Sequence, residues 1–282
     1  MSITIVTAFF DIGRGNWSSE NGHPNYLERS TDKYFKYFSN LALLENELVV
    51  FTSTNFVSKI KEIRGSKPTT IIEICLDEKF HKCIEAISKI QNNVQFQQQV
   101  GKEQLKNPEY WSAEYVLVNN LKSYFVKKAI KEVDIKTSLV AWVDFGYCRN
   151  SKTLNNLKSW DFPFLQKKIH FFSIKKDFEI SEKNVKNAIF NNQPFIIGGV
   201  IVATPEKWLI FSNLVHECQK EMLDNNIIDD DQGVYLTTVL KQPNLFEINY
   251  LGKDRWFDVF KKYDQSSKLS VVDQLKKFIG CY

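Results

Sequence analysis

The chain has 282 residues, of which 43% are hydrophobic and 25% are charged, and its formal net charge at pH 7 is +4. This length and apolar content suit one large α/β domain with a sizeable core, and they exclude a disordered chain. The positive charge is spread along the chain without zinc-finger spacing or an aromatic RNA-binding signature, so it favours small anionic ligands such as phosphates over nucleic acid.

The apolar periodicity of the first half predicts alternating strands and helices. In chain order these are a strand over 3–10, a helix over 31–44, a strand over 48–52, a helix over 55–63, a strand over 70–75 and a helix over 78–92. Such alternation is typical of a mostly parallel sheet with helices on both faces, because each right-handed crossover between parallel strands needs a helix. The Gln-rich segment 93–110 is predicted to be a loop.

The second half adds three predicted strands and four predicted helices. They are a helix over 111–133, strands over 139–143, 168–174 and 195–204, and helices over 181–190, from Pro205 onward and from about Asp231. No repeat or linker interrupts this order, so we expect a single domain over residues 1–282 with a Rossmann-like central sheet.

The cysteines and the lengths of the apolar stretches indicate in which cellular compartment the protein resides. The five cysteines never form a CxxC pair, which favours reduced thiols, and the first residues lack the basic flank and cleavage site of a signal peptide. The longest apolar stretch, 195–203, is too short to span a bilayer. Apolar residues recur at helical spacing over 271–279 beside three lysines, which predicts a helix that packs on its own domain or lies on a membrane face. We expect a cytoplasmic protein with at most peripheral contact to the inner face of the membrane.

The most informative position is the end of the strand over 139–143, which is apolar at every residue and therefore typical of a central strand covered on both faces. Asp144 follows directly, at the sheet edge where open α/β sheets bind ligands. An acid there can hold a metal or a sugar hydroxyl, and Gly146 lets a ligand approach the backbone closely. The alternative is that Asp144 serves only to form a turn.

Several segments, in this order, resemble the HtrL/YibB family of bacterial proteins: VTAFFDIGRGNW, EYVLVNNLKSYFVKKAI, AWVDFGYCR, and FIIGGVIV followed by a helix and DDDQ. The resemblance covers nearly the whole chain. That family is grouped with GT-A-type glycosyltransferases and is often encoded among genes for lipopolysaccharide or other surface glycans. The resemblance implies a GT-A-like fold and a nucleotide-sugar-dependent glycosyltransferase of hexosyltransferase type, acting on a glycan or lipid-linked acceptor.

The same resemblance implies a divalent metal, Mn²⁺ or Mg²⁺. In GT-A enzymes an Asp-x-Asp motif ends a central strand and binds the metal that bridges the donor diphosphate, and Asp144 matches that position. The second acid of the motif is missing, because Trp142 and Gly146 stand where it would be. A basic residue is the alternative source of part of the positive charge.

Donor-binding roles follow from the resemblance for residues near the first strand and the long helix. Thr7, Phe9 and Arg14 surround the end of the first strand, where GT-A folds hold the base and ribose. Lys122 is expected to reach the donor phosphates as a point charge. An exposed helix lysine and an ordinary loop arginine are the alternatives for Lys122 and Arg14.

Two further segments are expected to contact the donor. Gly198 and Gly199 interrupt a strand, which marks either a backbone brought close to the donor sugar or a packing kink against a helix. Lys253, in YLGKDRWF, loosely matches a Gly-x-x-Lys-Pro-Trp region that binds diphosphate in some retaining GT-A enzymes, although Arg255 stands where proline would be.

The acidic run at 229–231 begins a helix, where carboxylates cap free amides and gain from the helix dipole. Capping explains at least one of these acids. By similarity to acid-containing acceptor-side motifs of GT-A folds, Asp231 is the candidate catalytic base or sugar-hydroxyl contact, with Gln232 beside it.

Three other classes of protein fit the sequence less well. A dinucleotide-dependent enzyme is disfavoured because DIGRGNW after the first strand lacks the G-x-G-x-x-G fingerprint, and a serine hydrolase is disfavoured because no G-x-S-x-G occurs. The second-ranked hypothesis is a catalytically inactive GT-A-fold protein that binds a glycan or a nucleotide, which the missing second acid favours.

Overall fold

The computed structural model describes residues 3–265, and within that range the chain forms seven strands and ten α-helices. The strands are β1 (Ile3–Phe9), β2 (Leu48–Thr52), β3 (Thr69–Glu73), β4 (Leu139–Val143), β5 (Ile169–Ser173), β6 (Ile196–Ala203) and β7 (Phe246–Tyr250). The helices are α1 (Thr31–Leu41), α2 (Val57–Arg64), α3 (Leu76–Gln91), α4 (Val94–Gln99), α5 (Ala113–Asn120), α6 (Lys122–Glu132), α7 (Glu182–Phe190), α8 (Pro205–Asp224), α9 (Asp231–Lys241) and α10 (Val259–Lys262).

The strands form one sheet in the order β3-β2-β1-β4-β6-β5-β7. Within the described range only β6 runs against its neighbours, and every other adjacent pair is parallel. β1 and β4 lie side by side in the same direction, with Ile3 opposite Leu139 and Val6 opposite Trp142. Their carboxyl ends therefore reach the same edge of the sheet, which is the edge at which open α/β sheets bind ligands.

Two hydrophobic clusters cover the two faces of the sheet. The alternation of β1 divides its side chains between them, since Ile3, Ile5 and Phe9 belong to one cluster and Val6 to the other. Helices α5, α6, α8 and α9 pack in the cluster that contains Val6, and α1 and α10 pack in the other. The α/β fold with a mostly parallel sheet and helices on both faces is thus confirmed. Burial of each large apolar side chain contributes about 1.5–3 kcal/mol to this packing.

The predicted helix over 111–133 is divided at Leu121 into α5 and α6. The side-chain amide of Asn120 donates to the carbonyl of Val116 at 2.9 Å and to the carbonyl of Asp229 at 2.8 Å. The backbone hydrogen bonds nevertheless continue on both sides of Leu121, whose amide donates to the carbonyl of Leu117 at 2.9 Å and whose carbonyl accepts from the amide of Phe125 at 2.9 Å. Lys122 follows this division as the first residue of α6.

Other sequence expectations need correction or lie outside the described range. The segment 93–110 is not entirely a loop, since α4 lies within it with Asn93 as its N-cap. The edge strand β7 was not predicted, because FEINY carries polar residues and is only partly buried. The amphipathic pattern over 271–279 lies outside the described residues. None of the helices in residues 3–265 combines the length and apolar character needed to cross a bilayer.

Candidate active site

A cavity of about 330 Å³ lies at the sheet edge where β1 and β4 end. Asp144 follows β4 there, and the antiparallel strand β6 brings Gly199 alongside, with its carbonyl accepting a hydrogen bond from the Asp144 amide at 2.8 Å. Eight of the residues proposed from the sequence line this cavity, namely Phe9, Arg14, Lys122, Asp144, Gly146, Gly198, Gly199 and Asp231. The tertiary structure therefore assembles in one place residues that are far apart in the chain.

A buried lysine joins two carboxylates in this cavity. Lys122, only 4% exposed, donates from Nζ to Asp144 Oδ1 at 2.9 Å and also to Asp231 Oδ2. Its third contact is the carbonyl of Gly198 at 3.2 Å, so all three ammonium protons have acceptors. We call this arrangement the Lys122 bridge. It ties the first residue of α6 to the end of β4, to β6 and to the first residue of α9.

The Lys122 bridge holds a permanent positive charge. Burial lowers the pKa of Lys122, but the carboxylates of Asp144 and Asp231 outweigh burial, and the net effect raises the pKa above its ordinary value. For Asp231 burial dominates and raises the pKa, although Lys122 lowers it. The bridge therefore keeps an ammonium ion beside a carboxyl group that binds a proton more readily than an ordinary aspartate.

Asp144 is held on one side and open on the other. Its Oδ1 accepts hydrogen bonds from Lys122 and from the indole Nε1 of Trp142, the latter at 2.7 Å. Its side chain remains 38% exposed and lines the cavity. The carboxylate is thus bonded to Lys122 and Trp142 while it faces the cavity, and its binding of a ligand stays a prediction.

Gly198 is required by a close approach. A Cβ atom at this position would lie 1.8 Å from Oδ2 of Asp231, so any side chain would displace the carboxylate from the Lys122 bridge. The pairing of β5 with β6 also shifts between His170 and Phe172. The contact that requires glycine here is with the first residue of α9, which is the packing interpretation, and an approach of this backbone to a donor sugar stays a prediction.

The three acids at the start of α9 have three different partners. Asp230 is the N-cap and accepts from the amide of Gln232 at 3.0 Å, and Asp229 accepts from the amide of Gly233 at 2.9 Å. Capping therefore accounts for two of the acids. Asp231 is the one whose side chain takes part in the Lys122 bridge.

Three arginines line the same cavity without carboxylate partners. Within residues 3–265, Arg14, Arg29 and Arg149 form no ion pair, and the buried Nε atoms of Arg14 and Arg149 have no hydrogen-bond acceptor. Burial lowers the pKa of Arg149, and the like charge of Arg29 lowers it further. Guanidinium groups that line a cavity and form no ion pair in the described part of the chain are suited to binding an anionic ligand.

Aromatic rings fix the orientation of two of these guanidinium groups. The guanidinium carbon of Arg149 lies 4.7 Å from the ring centroid of Tyr37 and 5.2 Å from that of Phe257. Arg14 lies 5.0 Å from the ring of Trp17 and donates from Nη1 to the hydroxyl of Tyr34 at 2.8 Å. Cation–π contacts of this kind reduce the motion of the side chain without neutralising its charge.

The donors around Asp144 do not match a divalent metal site. Among residues 3–265 no group of three or more His, Cys, Asp or Glu side chains is arranged to hold a metal ion. The Lys122 ammonium already lies between Asp144 and Asp231, and Trp142 donates to the oxygen of Asp144 that faces Lys122. We therefore derive no step through a metal, and the Mn²⁺ or Mg²⁺ implied by the resemblance stays a prediction.

Three residues proposed from the sequence do not line the cavity. Thr7 is fully buried within β1, and Lys253 is exposed in the loop after β7. The side chain of Gln232 accepts from the amide of Phe195 and donates to the carbonyl of Gln193 at 3.1 Å, so it anchors the segment before β6.

Sequence reasoning missed Arg29, Arg149 and Glu109. Arg149 lies in the AWVDFGYCR segment, five residues after Asp144, and that proximity is the signal that was available. Arg29 precedes the N-cap of α1, and no local pattern distinguishes it from a surface arginine. Glu109 is 6% exposed, and its Oε2 atom has no hydrogen-bond partner in the described part of the chain.

Comparison with known proteins gives one extensive match in sequence and weaker matches in structure. A family described as "Bacterial protein of unknown function (HtrL_YibB)" matches residues 1–265. Protein HtrL of Escherichia coli (strain K12) is 47% identical over 280 residues, which are 99% of this chain and 98% of that protein.

Two solved structures show a distant likeness to the whole chain. Mouse xyloside xylosyltransferase 1, in its apo form, is similar with a TM-score of 0.41 and 10% identity over 88% of this chain and 85% of that chain. The glycosyltransferase GlyE of Streptococcus pneumoniae TIGR4 is similar with a TM-score of 0.41 and 9% identity over 89% of this chain and 45% of that chain. At this level of similarity neither structure assigns chemistry to the cavity.

The pKa of Glu109 predicts a pH dependence of stability. Burial raises this pKa from 4.5 to about 7, against the opposing effects of a backbone hydrogen bond and Arg14. A raised carboxyl pKa means that the folded state holds the proton more tightly than the unfolded state. The stabilisation is therefore complete below the unfolded pKa and is lost as the pH rises through about 7.

The Glu109→Gln variant keeps the shape of the protonated side chain and removes this titration. The free energy of unfolding is measured with urea at pH 5 and pH 8. Between these pH values the wild type is expected to lose about 2.5 kcal/mol more stability than Glu109→Gln. Glu103→Gln, at an exposed position of the same segment, is the control and is expected to follow the wild type. Parallel pH profiles of stability for Glu109→Gln and the wild type would contradict the raised pKa of Glu109.

The Lys122 bridge predicts how Mn²⁺ binding changes when the lysine is removed. Lys122→Ala leaves two carboxylates without their ammonium ion, and its affinity for Mn²⁺ is expected to rise at least about tenfold over the wild type because paired carboxylates are good ligands for hard cations. Titration calorimetry measures the affinity, and circular dichroism checks that the variant is folded. Lys128→Ala, also on α6, is the control. Wild-type binding as tight as that of Lys122→Ala would show that the bridge does not exclude the metal.

Proposed function

The chain belongs to the HtrL_YibB family of bacterial proteins, and we propose that it transfers a sugar from a nucleoside diphosphate donor to a hydroxyl of a glycan or lipid-linked acceptor. The observation that carries the proposal is the composition of the cavity at the ends of β1 and β4. It contains three arginines that form no ion pair with any described residue, together with the Lys122 bridge. The arginines suit the diphosphate of the donor, and the carboxylates suit sugar and acceptor hydroxyl groups.

The arginines are assigned to the leaving group. Cleavage of the bond between the anomeric carbon and the diphosphate leaves negative charge on the diphosphate, and preorganised cations that await this charge lower the barrier. Arg29 and Arg149 are neighbours that carry like charge, and Arg14 is oriented by Trp17 and Tyr34. Binding of a diphosphate would relieve the repulsion between Arg29 and Arg149, which supports this assignment.

The carboxylates are assigned to the sugar and the acceptor. Asp144, open to the cavity on one side, accepts a hydrogen bond from a donor-sugar hydroxyl. In an inverting transfer Asp231 accepts the proton of the acceptor hydroxyl, whose oxygen bonds to the anomeric carbon while the electron pair of the broken bond leaves with the diphosphate. The raised pKa of Asp231 makes its carboxylate a stronger base than that of an ordinary aspartate.

A second candidate is a protein that binds a nucleotide or glycan without catalysing transfer. The observation that favours it is the Lys122 bridge itself, because the same ammonium ion occupies both carboxylates.

For the first candidate, sugar transfer, we propose a role in the synthesis of a bacterial surface glycan, such as lipopolysaccharide or capsule. This synthesis would take place at the cytoplasmic side of the membrane.

The test of turnover compares several sugar donors, and it compares the wild type with one site variant and one control variant. Purified protein is incubated with UDP- and GDP-linked sugars, with truncated lipopolysaccharide as the acceptor, and release of the nucleoside diphosphate is measured. We expect release from at least one donor and a loss of about 100-fold in Asp144→Asn, because a contact to the reacting sugar is removed. Asp134→Asn, at a highly exposed position, is expected to keep full activity. No release from any donor, with nucleotide binding unchanged in Asp144→Asn, would favour the second candidate.

The arginine assignment makes a separate prediction about binding. Arg149→Met is expected to weaken binding of UDP or GDP about tenfold and to leave binding of uridine or guanosine unchanged, since the guanidinium contacts only phosphate oxygens. Titration calorimetry gives both affinities, and Arg255→Met, at an exposed loop position, is the matched control. Equal weakening of nucleoside and nucleotide binding would instead assign Arg149 to the base or ribose.

A further inference from the structure

A second cavity, of about 680 Å³, lies among the helices on one face of the sheet. Its walls come from α3, α5, α6, α8 and the start of α9, and they are largely apolar. The apolar wall residues include Ile87, Val116, Leu117, Leu121, Met222 and Ile228. A cavity of this size falls within the range that binds small-molecule ligands.

The rim of this cavity is basic. Lys79, Lys127, Lys128 and Lys131 line it, against the acids Glu132 and Asp229. Lys128 pairs with Glu132, and the carboxylate of Asp229 is buried on the amide of Gly233. Lys127 donates to Asn213, which is neutral. Neither Lys79 nor Lys131 forms an ion pair within residues 3–265, and both are exposed.

We propose that this cavity binds the acyl chain of an anionic lipid, with the lipid phosphate at Lys79 and Lys131. The apolar walls match a hydrocarbon chain, and the unpaired lysines at the rim match the charge of the headgroup. A neutral lipid would match only the apolar walls, and a free phosphate would match only the basic rim. The combination therefore points to a molecule that carries both parts.

The C-terminal segment 266–282 is a less suitable occupant. The described chain ends on the opposite face of the sheet, where Gln265 donates to the carbonyl of Asp161 at 2.8 Å and Tyr263 packs against Phe162. The segment also carries lysines beside its apolar residues, so its charge repeats that of the rim. A second copy of the chain placed symmetrically on this cavity would likewise bring lysines against lysines.

The position of the cavity connects it to the candidate active site. Asp229 lines this cavity, whereas Asp230 and Asp231 line the cavity at the sheet edge. The segment that separates them is held by the bond from Asn120 to the carbonyl of Asp229. A bound lipid would therefore anchor the protein beside its candidate active site. The proposal does not rest on the proposed function, because lipid binding and sugar transfer are measured independently.

Cys83 provides a reporter, since it is exposed and lines the cavity. A Cys75→Ser, Cys281→Ser variant is labelled at Cys83 with an environment-sensitive fluorophore. Labelling at Cys75 in a Cys83→Ser, Cys281→Ser variant is the matched control, since Cys75 is exposed but does not line the cavity. The probes are lysophosphatidylglycerol with a dodecanoyl chain, the phosphatidylcholine analogue of the same chain, and glycerol 3-phosphate, all below the micelle concentration.

We expect the fluorescence of the Cys83 label, and not that of the Cys75 label, to change when the anionic lipid is added. The affinity for the anionic lipid should be at least about tenfold higher than that for the neutral lipid, and glycerol 3-phosphate should cause no change. The double variant Lys79→Glu, Lys131→Glu should bind the anionic lipid about tenfold more weakly, or weaker still. Lys36→Glu with Lys61→Glu, two exposed positions on α1 and α2, should leave binding unchanged.

Three outcomes would overturn the proposal. An equal response of the two labels would show adsorption to the surface in general. Binding of glycerol 3-phosphate as tight as that of the lipid would show a phosphate site without an acyl chain. If the protein sediments as a dimer and no lipid changes the fluorescence of the Cys83 label, the cavity would be assigned to a second copy of the chain. Loss of sugar transfer with lipid binding intact would bear only on the proposed function.

Discussion

The ion pair of Lys122 with Asp144 and Asp231 is the interaction on which the candidate site depends. A buried ammonium ion is tolerated only when acceptors surround it, and here two carboxylates and the carbonyl of Gly198 supply them. Removal of one partner from such a group typically costs about 3–5 kcal/mol, because the remaining charge is left without compensation. The bridge therefore fixes the relative positions of α6, β4, β6 and α9 at the edge of the sheet.

The requirements of this bridge explain features that are otherwise unconnected. α5 and α6 are separate helices, and that break makes Lys122 the first residue of α6. Gly198 has no side chain because a Cβ atom would collide with Asp231. Asp229 and Asp230 bond to amides of the first turn of α9, which leaves the Asp231 side chain for the lysine. Each feature contributes to the position of one ammonium ion.

The cavity beside the bridge is not arranged for maximal stability. Within the described residues 3–265, the buried Nε atoms of Arg14 and Arg149 have no hydrogen-bond acceptor. Burial of unpaired polar groups costs free energy, about 1–3 kcal/mol for each. Groups of this kind cluster where a ligand completes their hydrogen bonding, and the surrounding core, with large aromatic residues such as Phe125 and Trp208 fully buried, supplies the stability that offsets the cost.

The sequence by itself determined the alternation of strands and helices, because local periodicity reflects which faces are buried, and it determined the place of Asp144 after a fully apolar strand. Strand β7 escaped prediction because an edge strand buries too little surface to leave an apolar pattern. Only the tertiary structure decided that Lys122 neutralises Asp144 and Asp231, that Arg29 and Arg149 line one cavity, and that Gln232 bonds to the segment before β6. These contacts join residues distant in the chain, and the partner of a charge depends on which strand ends the sheet brings together, which no local pattern records.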